Sequence, residues 1–265
     1  MTQGIIQRPL ILVCNDDGVF APGIKALTEV MLELGDVIVV APDSPQSGMG
    51  HAITISDTIK ISDMSKEVSY LKFSCSGTPV DCVKIGVNRL APRRPDMVVS
   101  GINHGSNSSI NVIYSGTMSA AVEGAVIGIP SIGFSLSDYS YDADFEVCKP
   151  FIKQIAEDVL QNSLPKGVCL NVNIPKTKEI KGIKVARQAK AFWDEELDQR
   201  QDPRGGTYFW LTGVFKNPDE GQDTDEFALA QDFISVVPTQ FDLTAYEQLN
   251  TLKQRLDYVG ETQKG

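Results

Sequence analysis

Long apolar runs, paired cysteines, clustered basic residues and histidine are all scarce in this 265-residue chain. No uninterrupted apolar stretch approaches the roughly 18–20 residues of a membrane-spanning helix. The first residues, MTQGIIQRPLILV, lack a basic segment followed by the roughly 7–15 apolar residues of a secretion signal. Membrane insertion and secretion are therefore not expected, and the chain reads as cytoplasmic. Its five cysteines (Cys14, Cys75, Cys82, Cys148 and Cys169) include no C-x-x-C pair, which fits reduced thiols in a core and not a disulfide framework. Only two histidines, His51 and His104, are present, and this weighs against histidine-rich zinc chemistry. Basic residues cluster only at APRRP, 91–95, and the net charge is −10. A nucleic-acid polymer would be repelled by most of such a surface. No internal repeat or low-complexity segment occurs.

What the chain does have is a run of buried-looking strands separated by helical periodicity. LILVC, 10–14, is a short continuous apolar run bounded by turn formers, the pattern of a central parallel strand covered on both faces. Ile24, Leu27, Val30, Met31 and Leu34 then recur at helical spacing, with Gly35 as a stop. VIVVA, 37–41, is a second buried strand, and strand, helix and strand together make a βαβ unit with a right-handed crossover. Residues 52–62 and 68–77 alternate at period two and predict a hairpin-like excursion beside the main sheet. Residues 77–90 predict a helix capped by Thr78, with Pro79 in its first turn. DMVVS (96–100), SIGFSL (131–136) and VCLNVNIP (168–175) continue the sheet, while 115–128 and 145–162 predict helices, the latter with Pro150 marking its true first turn.

Patterning becomes less regular after about residue 183, with a helix-like TDEFALAQ, a strand FISVVP and an amphipathic helix near 245–259. The expected architecture is α/β: a three-layer α/β/α sandwich with a Rossmann-like parallel sheet over 1–182, and an extension over 183–265 that makes contacts between subunits. Residues 190–210, rich in aromatics and charges, leave two readings open. They form a solvated or subunit-contacting arm, or they cover the active site or stack on a base.

In an open parallel sheet, ligands collect where loops leave the carboxyl ends of the strands. Those loops here are NDDGVFAPG, PDSPQSGMGH and GINHGSNSSINVIYSGT, rich in small oxygen-bearing residues and glycines that let backbone approach a ligand. Asp16 and Asp17 stand side by side in the first of them. One could cap the following helix while the other faces water. Neighbouring loops, however, offer hydroxyl and amide oxygens and no lysine or arginine, a donor set that suits a hard divalent cation. Ser115, Gly116 and Thr117 open a helix, where N–H groups, hydroxyls and the helix dipole favour a phosphate, although an ordinary serine or threonine cap would look the same. The two features together point to metal-assisted phosphoryl chemistry.

The same residues carry a family resemblance. ILVCNDDGVFAPGIKAL, VVAPDSPQSGMGHAIT, GTPVDCVKIG, VSGINHGSN, YSGTMSAAVEG, LNVNIP and TDEFALAQDFISVVPTQFDLT occur in the order and approximate spacing of the stationary-phase survival protein SurE family. The likeness covers about residues 10 to 245. It implies a nucleotidase that holds one divalent cation per subunit, magnesium or manganese, with Asp16, Asp17, Ser47 and Asn103. It further implies that Asn15, Asn107, Ser115, Gly116 and Thr117 line a phosphate site. The substrates implied are nucleoside 5′- and 3′-monophosphates and, in some members, short polyphosphate; the assembly implied is a homodimer or homotetramer. Some relatives carry a histidine in the extension, but both histidines here precede residue 105. His104, beside Asn103, is the local candidate for that acid.

On this reading Asp16, Asp17 and Asn107 are the catalytic residues. A cation held by the acids would lower the pKa of a water, and an aspartate would accept its proton. Asn107 and the 115–117 turn would hold the equatorial oxygens. Direct attack by Asp16 or Asp17 through a phospho-aspartate stays open. Three other readings compete with it. A haloacid-dehalogenase phosphatase expects D-x-D where these acids are adjacent, and a dinucleotide-dependent oxidoreductase expects G-x-G-x-x-G in the first turn. A nucleotide sensor without catalysis would retain the same ligand residues.

Overall fold

In the computed structural model, which describes residues 8–140 and 142–257, the apolar runs form one nine-stranded sheet. Strands β1 (Leu10–Cys14), β2 (Asp36–Pro42), β4 (Leu71–Cys75), β5 (Met97–His104), β6 (Ser131–Leu136) and β7 (Val168–Ile174) run parallel in the order β4-β2-β1-β5-β6-β7. At one edge β3 (Ile61–Asp63) lies antiparallel to β4. At the other, β13 (Ile234–Gln240) lies antiparallel to β7, with β8 (Ile183–Val185) parallel beside it.

Alternation along the central strands builds the three layers. Ile11, Val13, Val37, Val39 and Val99 point to a cluster completed by helix α1 (Pro22–Leu34) and helix α4 (Lys149–Asn162). Leu10, Leu12, Cys14, Ile38, Val40 and Val98 point the other way, toward α2 (Pro79–Ile85) and α3 (Gly116–Val126). Side chains of a strand alternate between faces, so a central strand must be apolar at every position to feed both layers. All five cysteines are free thiols and buried.

Three expectations change. The period-two segments are not an excursion beside the sheet. β4 joins it as a parallel neighbour of β2, β3 forms its edge, and residues 52–60 carry no strand. The helix expected over 77–90 keeps its cap, with Thr78 and Asp81 bonding each other's backbone N–H groups, but it widens after Ile85, where the Ala91 N–H reaches back to Gly86 O at 2.8 Å. And the chain after residue 183 is not all extension, because β8 and β13 complete the sheet. FISVVP could not announce this, since a short apolar run does not say which strand it will pair with.

Outside the sheet lie two antiparallel ribbons, β9 (Phe192–Asp194) with β12 (Val214–Lys216) and β10 (Leu197–Gln201) with β11 (Thr207–Leu211). Together they form an arm on which Leu197, Phe209, Trp210 and Leu211 are exposed. Helix α5 (Asp225–Ala230) precedes β13, and α6 (Tyr246–Leu256) follows it with no buried residue. The helix expected to reach 259 thus ends at 256, and its expected positions 258 and 259 lie outside the described residues. No helix among the described residues is long and apolar enough to cross a membrane.

Candidate active site

The acidic turn leaves the carboxyl end of β1 and is closed by Asn15. Its side-chain amide donates to Gly18 O at 3.0 Å and its Oδ1 accepts the Gly18 N–H at 3.2 Å. Asn15 therefore serves the turn's own geometry. Asp16 follows with 4% of its surface exposed. It meets Thr117 of α3, whose hydroxyl donates to Asp16 Oδ1. Gly116 makes this approach feasible, because a Cβ there would sit 2.6 Å from the Cβ of Asp16. The two halves of the site expected from sequence, the acid pair and the 115–117 turn, are thus in direct contact.

Asp17 faces another neighbour. His104, at the end of β5, places Nδ1 3.5 Å from Asp17 Oδ2, and its ring stands edge-on to Phe145 with centroids 5.0 Å apart. Asn103 precedes it, its amide donating to Gly105 O at 2.8 Å, while its Oδ1 accepts no hydrogen bond among the described residues. The register of β5 against β6 shifts between Ser100 and Asn103. Gly101 turns that irregularity with φ +128°, where a side chain would be strained.

Ser47 is exposed on the loop after β2, and its chain neighbour Gln46 donates its N–H to Asp16 O at 2.7 Å. That loop is stapled at several points. Gly50 N–H meets Tyr114 O at 3.2 Å, the Thr54 hydroxyl donates to Asp81 at 2.6 Å, and His51 Nε2 lies 3.2 Å from Glu123. Glu123, buried in the middle of α3, also accepts Lys84 Nζ at 2.6 Å. Burial pulls its carboxyl up, but His51 and Lys84 outweigh this and hold it below the usual range. His51 is thus an anchor for the Ser47 loop, a role not legible in a lone loop histidine.

Asn107 sits differently. It is buried, its amide donates to Ser135 Oγ in β6 at 2.8 Å, and its backbone is gripped by β7: the Asn107 N–H donates to Asn173 Oδ1 at 2.8 Å, and Asn171 donates to Asn107 O at 2.9 Å. Neither Asn171 nor Asn173 was singled out from sequence. The signal was there, since asparagine at i and i+2 of a strand buried on both faces puts two polar side chains on one face, where they need partners. Ser115 caps α3, accepting the Met118 N–H at 2.9 Å. The Thr117 N–H bears on the Asp16 carboxylate, so of the first three N–H groups of that helix the one left without a partner among the described residues is that of Gly116, at the end where an anion is favoured.

The electrostatics of the acid pair are unbalanced. Among the described residues no lysine or arginine forms an ion pair with Asp16 or Asp17. Burial pushes the Asp16 carboxyl up, the Thr117 hydroxyl offsets part of this, and the charge on Asp17 adds to it, leaving the pKa at about 6. A buried carboxylate without a counter-charge costs several kcal/mol, roughly. Two carboxylates flanked by amide and hydroxyl oxygens suit a hard divalent cation in both charge and donor type. The residues present therefore fit the metal expected of them.

The geometry defines a class: an α/β protein with an acid pair at the carboxyl edge of its parallel sheet, set against the amino end of a helix. The family model described as Survival protein SurE matches residues 11–195, and the chain belongs to the SurE family. A 5′-nucleotidase SurE of Christiangramia forsetii is 65% identical over 93% of this chain and 96% of its own. Another, of Cytophaga hutchinsonii, is 56% identical over 97% of this chain and all of its own. Among solved structures, the SurE protein of Aquifex aeolicus is 39% identical and superposes with a TM-score of 0.82, covering 94% of this chain and all of that one.

Proposed function

We propose that the protein is a divalent-metal-dependent phosphohydrolase of nucleoside 5′- and 3′-monophosphates that also accepts short polyphosphate. The coarse statement, that it is a nucleotidase, follows from family membership and from relatives of this identity that carry that name. The finer reading rests on one observation above all: Asp16 is buried beside Asp17 with no lysine or arginine among the described residues to meet them.

Asp16, Asp17, Ser47 and Asn103 are the residues that would hold the cation, one magnesium or manganese per subunit. When bound it supplies Lewis-acid polarisation and a water acidified toward neutrality. The chain's own groups do the rest. The amino end of α3, with Ser115, Gly116 and Thr117, receives the phosphoryl oxygens, and Asn107 orients them from the β5–α3 loop. Asp17, with 20% of its side chain exposed, accepts the proton of the attacking water. His104, beside it, is placed to return a proton to the leaving hydroxyl. In this reading the exposed apolar arm is where copies of the chain meet, as a homodimer or homotetramer.

Phosphate release from AMP and GMP with manganese, repeated after EDTA, tests the proposal. Turnover that the chelator abolishes and manganese restores is expected. Turnover indifferent to EDTA contradicts the metal, and ligand binding with no phosphate release makes the protein a sensor.

A further inference from the structure

The loop that carries Asn107 is gripped from two sides, and only one grip belongs to the sheet. On the other side stands Asp225, at the first position of α5 and wholly buried. Its Oδ2 accepts the Ser109 N–H at 2.7 Å, while its Oδ1 accepts the N–H groups of Ala189 and Glu226, each at 2.9 Å. The Ser109 hydroxyl donates to Ala189 O at 2.8 Å and accepts the Ala191 N–H at 3.3 Å. Two residues further, the Trp193 indole donates to Asn111 Oδ1 at 2.8 Å. Residues 189–193 are the root of the arm.

Two features make this more than packing. Ser109 holds φ +51°, a left-handed backbone that a residue with a side chain keeps only when its surroundings fix it. Asp225 answers three N–H groups with two oxygens, which needs an acceptor-only side chain. An amide of the same shape would turn a donor toward one of them.

We infer that Asp225 is a positioning residue of the phosphate site: it fixes the backbone of the 106–113 loop and, through it, Asn107, so that the arm's root and the phosphate loop hold one geometry. The inference rests on the reading of Asn107 as a phosphate group contact. Asp16 and Asp17 lie on a different loop and make no hydrogen bond to this cluster. Phosphate binding and metal binding should therefore separate.

The test measures three quantities in wild type, Asp225→Asn and Asn107→Ala. They are the inhibition constant of inorganic phosphate with manganese saturating, KM against kcat for AMP, and manganese affinity without phosphate, by calorimetry. Asp225→Asn should weaken phosphate binding and raise KM by roughly 10- to 100-fold, with manganese affinity within about twofold of wild type. Unchanged phosphate binding overturns the inference, and so does a parallel loss of phosphate and manganese binding, which marks a general loosening of the fold. If Asn107→Ala weakens phosphate binding and Asp225→Asn does not, the positioning role alone fails. If Asn107→Ala itself has no effect, the phosphate reading fails and the inference with it. Should Asp225→Asn not fold, Trp193→Phe removes the indole bond to Asn111 while keeping an aromatic ring against Phe215. It is expected to weaken phosphate binding about two- to threefold, again without touching manganese, and no change there overturns the inference.

Discussion

Along α1 the protein treats its carboxylates in two ways. Glu29 and Glu33, in the later turns, meet Lys149 and Lys153 of α4 at 2.7 Å each, whereas Asp16 and Asp17, in the turn that leads into the same helix, meet no lysine or arginine among the described residues. The first pair of contacts lies in solvent, where ion pairs contribute little. The second site is the one where burial makes a missing counter-charge expensive. The chain supplies cations to exposed acids and, among the described residues, no lysine or arginine to buried Asp16 and half-buried Asp17, and the proposed cation rests on that contrast.

The largest break in this contrast is on the active-site side. Asp17→Asn should lower turnover by two or more orders of magnitude, roughly, while the melting temperature measured in EDTA stays level or rises, because a like-charge repulsion has gone. Near-normal turnover would remove Asp17 from the chemistry.

A medium effect concerns pH in metal-free protein. The Asp16 carboxyl is raised in the folded state to about 6 from an ordinary 3.8. Between those values the folded chain binds more protons than the unfolded one, so this group makes stability fall as pH rises. The loss is on the order of 3 kcal/mol once pH passes 6. Melts in chelator from pH 4.5 to 7.5 should show that fall in wild type and lack it in Asp16→Asn. Equal slopes would contradict the assignment.

The smallest effect lies on the other side of the comparison. Lys153→Ala, which unpairs Glu33 on the outer face, should shift the melting temperature by about 2 °C or less and leave kcat unchanged. A large loss there would mean the exposed pairs carry more of the fold than their exposure allows.

How much of this could be read from the residues differs by region. LILVC and VIVVA announced central strands because a strand buried on both faces must be apolar throughout, and Thr78-Pro79 announced a helix start because each residue supplies a specific backbone need. Asp16, Asp17 and Thr117 stood out as candidates because adjacent acids at a strand's end and a hydroxyl at a helix start are unusual company for a core, and the fold brings Asp16 and Thr117 into hydrogen-bond contact. The sheet edge was not legible. Nothing in LKFSC states that it pairs in parallel with β2, or in FISVVP that it pairs antiparallel with β7, since pairing is decided by tertiary contacts across long stretches of chain. Asp225 was invisible for a related reason. A lone aspartate at a helix start reads as a capping residue, and its bonds to Ser109 and Ala189 cross 116 and 36 positions of sequence.

The central claim is that a doubly charged ion balances Asp16 and Asp17, and manganese soaked into crystals tests it most directly through anomalous scattering. The account predicts one peak within coordination distance of both carboxylates, with Ser47 and Asn103 beside it. No peak there, or a peak only at other acids of the surface, would contradict it.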